Sequence, residues 1–389
     1  MAQTTADGGS DGEGELNTLS STDLGRRTVA WLLDRGWAFY ALWVLIISLV
    51  KYGIGILPSW NYMQAIALNW LSPHSSVFMT SPADFRLASP VSAVLAGWLH
   101  LTTGIEFLGF HFVLTCVALV IPLTMPAVRQ SARLRLLVGI LIIGSAVPAV
   151  LLSWIRSYDP VSIAAAAVAG LARRPWVAFL GWFVFAFNNA PQALVGACVY
   201  GVVVIADDRG RAGARILAAV SGVMLGYLGV RLLIWHWGGS TGPLTIYKLY
   251  GFFRYFDDAT SYWPLIFLSA LGVGWMMVVS REVRSLAAAK ALFVMAVVAS
   301  VVVPLVAVDE TRITAGALWA PMLLTAAIIV RRVETKRVDA LLRRLLPVAV
   351  ILVIVVVWDG SLVYAGWHGA WNFVNYILGR QPIPTIAAS

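Results

Sequence analysis

Four consecutive residues, Asp309-Glu310-Thr311-Arg312, place two carboxylates and a guanidinium between two strongly apolar runs. Charges at membrane depth are costly, so they are functional candidates by default. A guanidinium grips phosphate through charge-assisted hydrogen bonds. Arg312 is therefore a candidate for holding a lipid phosphate, with Asp309 or Glu310 fixing its side chain. The plainer reading is a turn that satisfies itself through an internal ion pair.

Two further acids have the position a general base would need. Asp84, in Ser81-Pro82-Ala83-Asp84-Phe85-Arg86, sits in a long polar stretch close to apolar segments. A carboxylate within hydrogen-bond reach of a hydroxyl and shielded from bulk water can take its proton. Pairing with Arg86, or capping the next helix, is the alternative. Asp159 lies in the short loop Arg156-Ser157-Tyr158-Asp159-Pro160, at the head of a short helix. There, Asp as the cap with Pro at the first helical position is the structural explanation. A capping Asp beside Tyr158 can still line a site.

The stretch 237–262 mixes glycines and aromatics with Lys248, Arg254 and Asp257-Asp258. Lys248 and Arg254 suit phosphate binding, and an interfacial aromatic loop with local ion pairs explains the same residues. The Asp pair leaves a divalent cation open as a cofactor, although a lone pair of aspartates has little specificity. No other cofactor is implied. Arg231 falls two-thirds of the way along an apolar run and either snorkels to the interface or faces a cavity. His74, His100, His111, His236 and His368 show no metal-ligand spacing, and no Gly-rich phosphate loop or GxSxG elbow occurs.

The elements that must position these residues are membrane helices. Of 389 residues, 60% are hydrophobic and 12% charged, about half the usual charged share. That excludes a soluble or disordered protein. The expected class is all-α, a polytopic integral membrane protein with about eleven transmembrane helices and surface helices in the first outer loop. Spans are expected near 37–57, 105–125, 134–154, 160–172, 176–192, 193–206, 214–236, 262–279, 289–308, 313–330 and 345–359. The pieces within 160–206 are short of the ~20 residues of a full crossing. Asn188, Asn189, Pro191 and Gln192 mark the tip of a hairpin there. Segment 89–103 reads as a helix lying on the outer surface.

Loops assigned to the cytoplasm hold 20 of the 28 Lys and Arg, so the net charge of +9 reflects topology and no nucleic-acid partner. This expects a plasma (inner) membrane protein with the N-terminus cytoplasmic and the C-terminus extracytoplasmic. Three regions are expected: a disordered tail over 1–30, one transmembrane domain over 31–360, and an outer amphipathic segment over 361–389.

The order of these features resembles the GT-C superfamily of polytopic glycosyltransferases. The likeness lies in a long first outer loop around Asp84, then Tyr158-Asp159-Pro160. Next come Arg173-Arg174-Pro175 before a hairpin of short helices, and Asp309-Glu310-Thr311-Arg312 before a span ending in a basic loop. The resemblance implies inverting transfer from a polyprenyl-phosphate sugar, with a base in the first outer loop. The Trp-rich, Arg-over-Lys composition is similar to that of high-GC actinobacterial proteins, where the acceptor would be a cell-envelope glycan or glycolipid. Membrane lipids are the remaining partner class. In this scheme Asp84 or Asp159 activates the acceptor hydroxyl. Arg312, with Lys248, Arg254 or Arg231, holds the departing phosphate, supported by Asp309, Glu310, Arg86 and Tyr158. The competing classes are a transporter or flippase of a lipid-linked glycan, an O-antigen-polymerase-like or acyl-transfer membrane protein, and a non-catalytic scaffold.

Overall fold

The computed structural model describes residues 21–55, 61–71, 89–153, 155, 157–208, 210, 212–237, 263–264, 266–303 and 310–355. Its regular elements are all helices. They are α1 (Ser21–Leu33), α2 (Trp37–Tyr52), α3 (Asn61–Leu68), α4 (Val91–Trp98), α5 (Gly104–Thr124), α6 (Pro126–Arg129), α7 (Ala132–Ile143) and α8 (Val147–Ser153). There follow α9 (Asp159–Leu171), α10 (Pro175–Asp207), α11 (Ala212–His236), α12 (Gly274–Val279), α13 (Ala287–Val302), α14 (Glu310–Arg332) and α15 (Thr335–Val355).

Local chemistry sets several of these ends. Thr103 and Glu106 form a reciprocal capping box that starts α5. Gly53, at φ 62°, closes α2 with its N–H on the Leu49 carbonyl. That ends the first expected span five residues early. A glycine is needed here because L side chains rarely accept a positive φ.

Among the described residues four helices are long and apolar enough to cross a membrane, or up to six if each of two bent pairs counts as one span. The bent pairs are α1 with α2, at 114°, and α7 with α8, at 53°. Two of the expected crossings, α9 and α13, have only 13 and 16 residues.

The helix α10 turns back on itself. Asn189 leaves the helical region (φ −154°, ψ 81°), and Pro191 brings no N–H to the ladder. The rings of Trp182 and Tyr200 lie 5.3 Å apart, whereas a straight helix would separate those residues by about 27 Å. The hairpin expected from Asn188, Asn189, Pro191 and Gln192 is therefore present.

Small residues let the central helices touch. A Cβ on Gly170 of α9 would come within 2.4 Å of the Ala320 carbonyl oxygen of α14. One on Gly196, in the second arm of α10, would come within 2.6 Å of the Ala317 carbonyl oxygen. Van der Waals packing and close backbones are what hold helices together where lipid removes the hydrophobic driving force.

The expected basic loop 331–344 is mostly helix. Val338, Leu341, Leu342 and Leu345 of α15 are buried at helical spacing, while Lys336 and Arg337 face outward. Its charges belong to an amphipathic face, which a count of basic residues does not distinguish from a loop. The expected surface helix in 89–103 is α4, eight residues long, packed on α3 with Ala93 and Ala96 buried.

Candidate functional site

The charged residues gather at two ends of the bundle. At one end Asp207 accepts from Arg331 (2.5 Å) and Arg332 (3.3 Å), and Arg133 holds Asp339 at 2.7 and 3.1 Å. Arg344 reaches Glu282 at 3.3 Å. These residues join α10 to α14, α7 to α15, and the 280–286 turn to α15. These ion pairs form a charged belt, and Asp159 stands at the head of α9, a helix about 20 Å long.

At the far end Arg312 and Asp159 meet. Arg312 Nη1 lies 3.3 Å from Asp159 Oδ2, with Arg312 9% and Asp159 2% exposed. The guanidinium also stands 5.2 Å from the centre of the Tyr158 ring. Ser157 donates its hydroxyl to the same carboxylate oxygen at 2.9 Å and accepts the Asp159 N–H at 3.3 Å. Tyr158, rather than Asp159, occupies the cap position of α9, with Pro160 just behind. The carboxylate is therefore directed to Arg312 instead of closing the helix end.

The hairpin tip supplies two buried amides beside this pair. Asn188 Nδ2 donates to the Tyr158 carbonyl at 2.9 Å and to Ser162 Oγ at 2.8 Å. Gln192 packs against Gly316, one turn below Arg312 on α14; a Cβ there would lie 3.0 Å from Gln192 Oε1. Asn188 Oδ1 and Gln192 Nε2 are buried and have no hydrogen-bond partner among the described residues. A buried amide left unsatisfied costs of order 1–3 kcal/mol, so each is an unused acceptor or donor at the flank of the ion pair.

Comparison with family models, with curated proteins and with solved structures finds no match. What the site can do rests on its own geometry.

That geometry unites Tyr158, Asp159 and Arg312 from distant parts of the sequence. Arg231 is placed differently. Its Nε and Nη2 reach the Tyr227 hydroxyl at 2.9 and 2.7 Å along α11, and no described contact joins it to Arg312. Asp84, Arg86, Lys248, Arg254, Asp257, Asp258 and Asp309 lie outside the described residues, as does the side chain of Glu310. The sequence marked Asn188 and Gln192 as a hairpin tip and not as site residues. Their signal was present: amides at 188, 189 and 192 interrupt an otherwise apolar run.

An apolar cluster supports the site from the same end. Tyr158 belongs to a buried apolar cluster that also holds Met63 and Ile66 of α3, Ala93 and Ala96 of α4, Phe107 of α5, and Val230 and Ile234 of α11.

Proposed function

We propose that the chain transfers a sugar from a polyprenyl-phosphate donor to a cell-envelope glycan or glycolipid at the membrane face that carries Arg312. The observation that supports this is a buried, oriented arginine at one end of an apolar bundle, flanked by two amides that each keep one buried polar atom unpaired among the described residues. Arginine suits a phosphate, and amides suit sugar hydroxyls, which both donate and accept.

In this reading the acceptor oxygen attacks the anomeric carbon from the face opposite the phosphate. The carbon–oxygen bond to phosphate breaks, and the electron pair leaves with the polyprenyl phosphate, whose charge Arg312 stabilises. The acceptor proton passes to a carboxylate. Asp159 already accepts from Arg312 and Ser157, which suits it to orienting Arg312. The base role falls to Asp84 in the first outer loop. Lys248 and Arg254 would join Arg312 on the phosphate, Asp309 and Glu310 would support Arg312, and eleven crossings would place the C-terminus outside.

The test is turnover by the full chain in nanodiscs, offered radiolabelled polyprenyl-phosphate sugars and envelope lipids. Label should reach the acceptor and be lost in Asp84→Asn and Arg312→Lys with the fold intact. Folded protein that transfers nothing from any donor overturns the reading.

The break in α10 favours a second reading. Interrupted helices beside a binding site are a common device of transporters. Movement of a lipid-linked glycan across liposomes, without transfer, would select it.

A further inference from the structure

The belt end of the bundle carries a second assembly that none of the chemistry above uses. It lies at the elbow where α1 meets α2. The 114° bend lays α1 across the axis of α2. If α2 spans, α1 lies in the plane of the interface. One face of α1 is buried through Val29 and Leu32, whereas Leu24, Arg27 and Trp31 are exposed at i, i+3, i+7.

Three guanidiniums collect on aromatic rings at this elbow. Arg35 stands 4.2 Å from the Trp31 ring centre, Arg129 5.5 Å from Trp37, and Arg135 6.0 Å from Tyr40. Arg135 Nη1 also donates to the Arg129 carbonyl at 3.1 Å, which ties two of the three together. The rings brace one another: Trp31 on Phe39 at 5.6 Å, Phe39 on Tyr40 at 5.5 Å, Tyr40 on Trp43 at 6.1 Å.

Among the described residues no carboxylate forms an ion pair with Arg35, Arg129 or Arg135, whereas Arg133, Arg331, Arg332 and Arg344 each have a carboxylate partner. Asp34, exposed on the elbow, pairs with none of them. A guanidinium stacked on a ring keeps its edge N–H groups free for an anion in the ring plane.

We infer that the α1–α2 elbow, through Arg35, Arg129 and Arg135, binds the phosphate of an anionic phospholipid. The lipid source follows from what lies beside the arginines. Trp31 and Trp37 are exposed at the elbow, as interfacial aromatics are, and Leu42, Ile46 and Val50 run as an exposed apolar row down α2, which suits an acyl chain. A free phosphate would have no use for that row.

Native mass spectrometry of the full chain, equilibrated with equal phosphatidylglycerol and phosphatidylcholine, tests the site. The wild-type protein should retain phosphatidylglycerol preferentially. Arg35→Gln/Arg129→Gln/Arg135→Gln should lower that retention by roughly tenfold or more, and exposed Arg129→Gln alone by about threefold without a change in melting temperature. Arg284→Gln/Lys290→Gln/Lys336→Gln removes as much charge from exposed positions elsewhere and should retain the lipid. Three results each overturn the inference: undiminished retention in both elbow variants, equal loss in the control, or displacement of the lipid by millimolar glycerol phosphate.

Discussion

Arg312 and Asp159 stand 153 positions apart in the chain and meet at 3.3 Å, joining the head of α14 to the head of α9. Both are almost wholly buried, so the pair is either a strut or a tool. In a buried pair, removing one partner strands the other charge, and that cost exceeds what the pair itself contributes.

The single variants Asp159→Asn and Arg312→Ala should therefore each lower unfolding stability by about 3–5 kcal/mol, and the double variant Asp159→Leu/Arg312→Met should recover most of it. Thermal melting in one detergent measures all three. Additive losses in the double variant would show that the two side chains do not depend on each other.

Asn188 links the hairpin tip to the Tyr158 carbonyl and Ser162. Asn188→Ala should cost about 1–3 kcal/mol and should loosen the tip, raising amide exchange over 188–192 more than over α15. Uniform exchange across both segments would remove the linking role.

At Gly170 any side chain meets backbone. Gly170→Ala would press its methyl to within 2.4 Å of the Ala320 carbonyl oxygen and should destabilise by roughly 1–3 kcal/mol. Gly25→Ala, with no atom within 4 Å, is the matched control and should leave melting unchanged or slightly higher.

Glu282 sits in the turn before α13. Burial alone would raise its carboxyl, but hydrogen bonds from Ser280, its own backbone N–H and Arg281, with the charge of Arg344, outweigh burial and hold it below the usual 4.5. A depressed carboxylate contributes stability above its unfolded value and loses it as pH falls through the folded one. The melting advantage of wild type over Glu282→Gln should be constant from neutral pH to about 4.5 and shrink below it. An advantage that persists to pH 3 would contradict the shift.

The ion pair of Arg133 and Asp339 is partly open to water, with side chains 35% and 25% exposed. Asp339→Asn should cost no more than about 1 kcal/mol, and 0.5 M salt should erase most of the difference. A larger, salt-independent loss would mean that α7 and α15 depend on this contact for docking.

Composition was enough to dictate helices. With 60% hydrophobic residues, backbone polar groups must be satisfied within each segment, which fixes the class. Breaks were legible where a residue's own stereochemistry makes them. Pro191 after Asn188-Asn189 signalled the hairpin, and the short apolar run of α4 signalled a helix too brief to span. The basic run over 331–344 misled because arginines on the outer face of an amphipathic helix look, one by one, like arginines in a loop.

The site followed the same division. Arg312 and Asp159 each stood out locally as charges among apolar residues, since the cost of burying them is a property of the residue. That they answer each other is not local. Arg312 has acids two and three positions before it in the sequence, and its pairing across 153 residues depends on α9 and α14 running side by side, close enough that Gly170 touches Ala320. Residue chemistry announced which groups need partners. Only the packing of the helices, settled by where small residues let backbones approach, decided which partners they have.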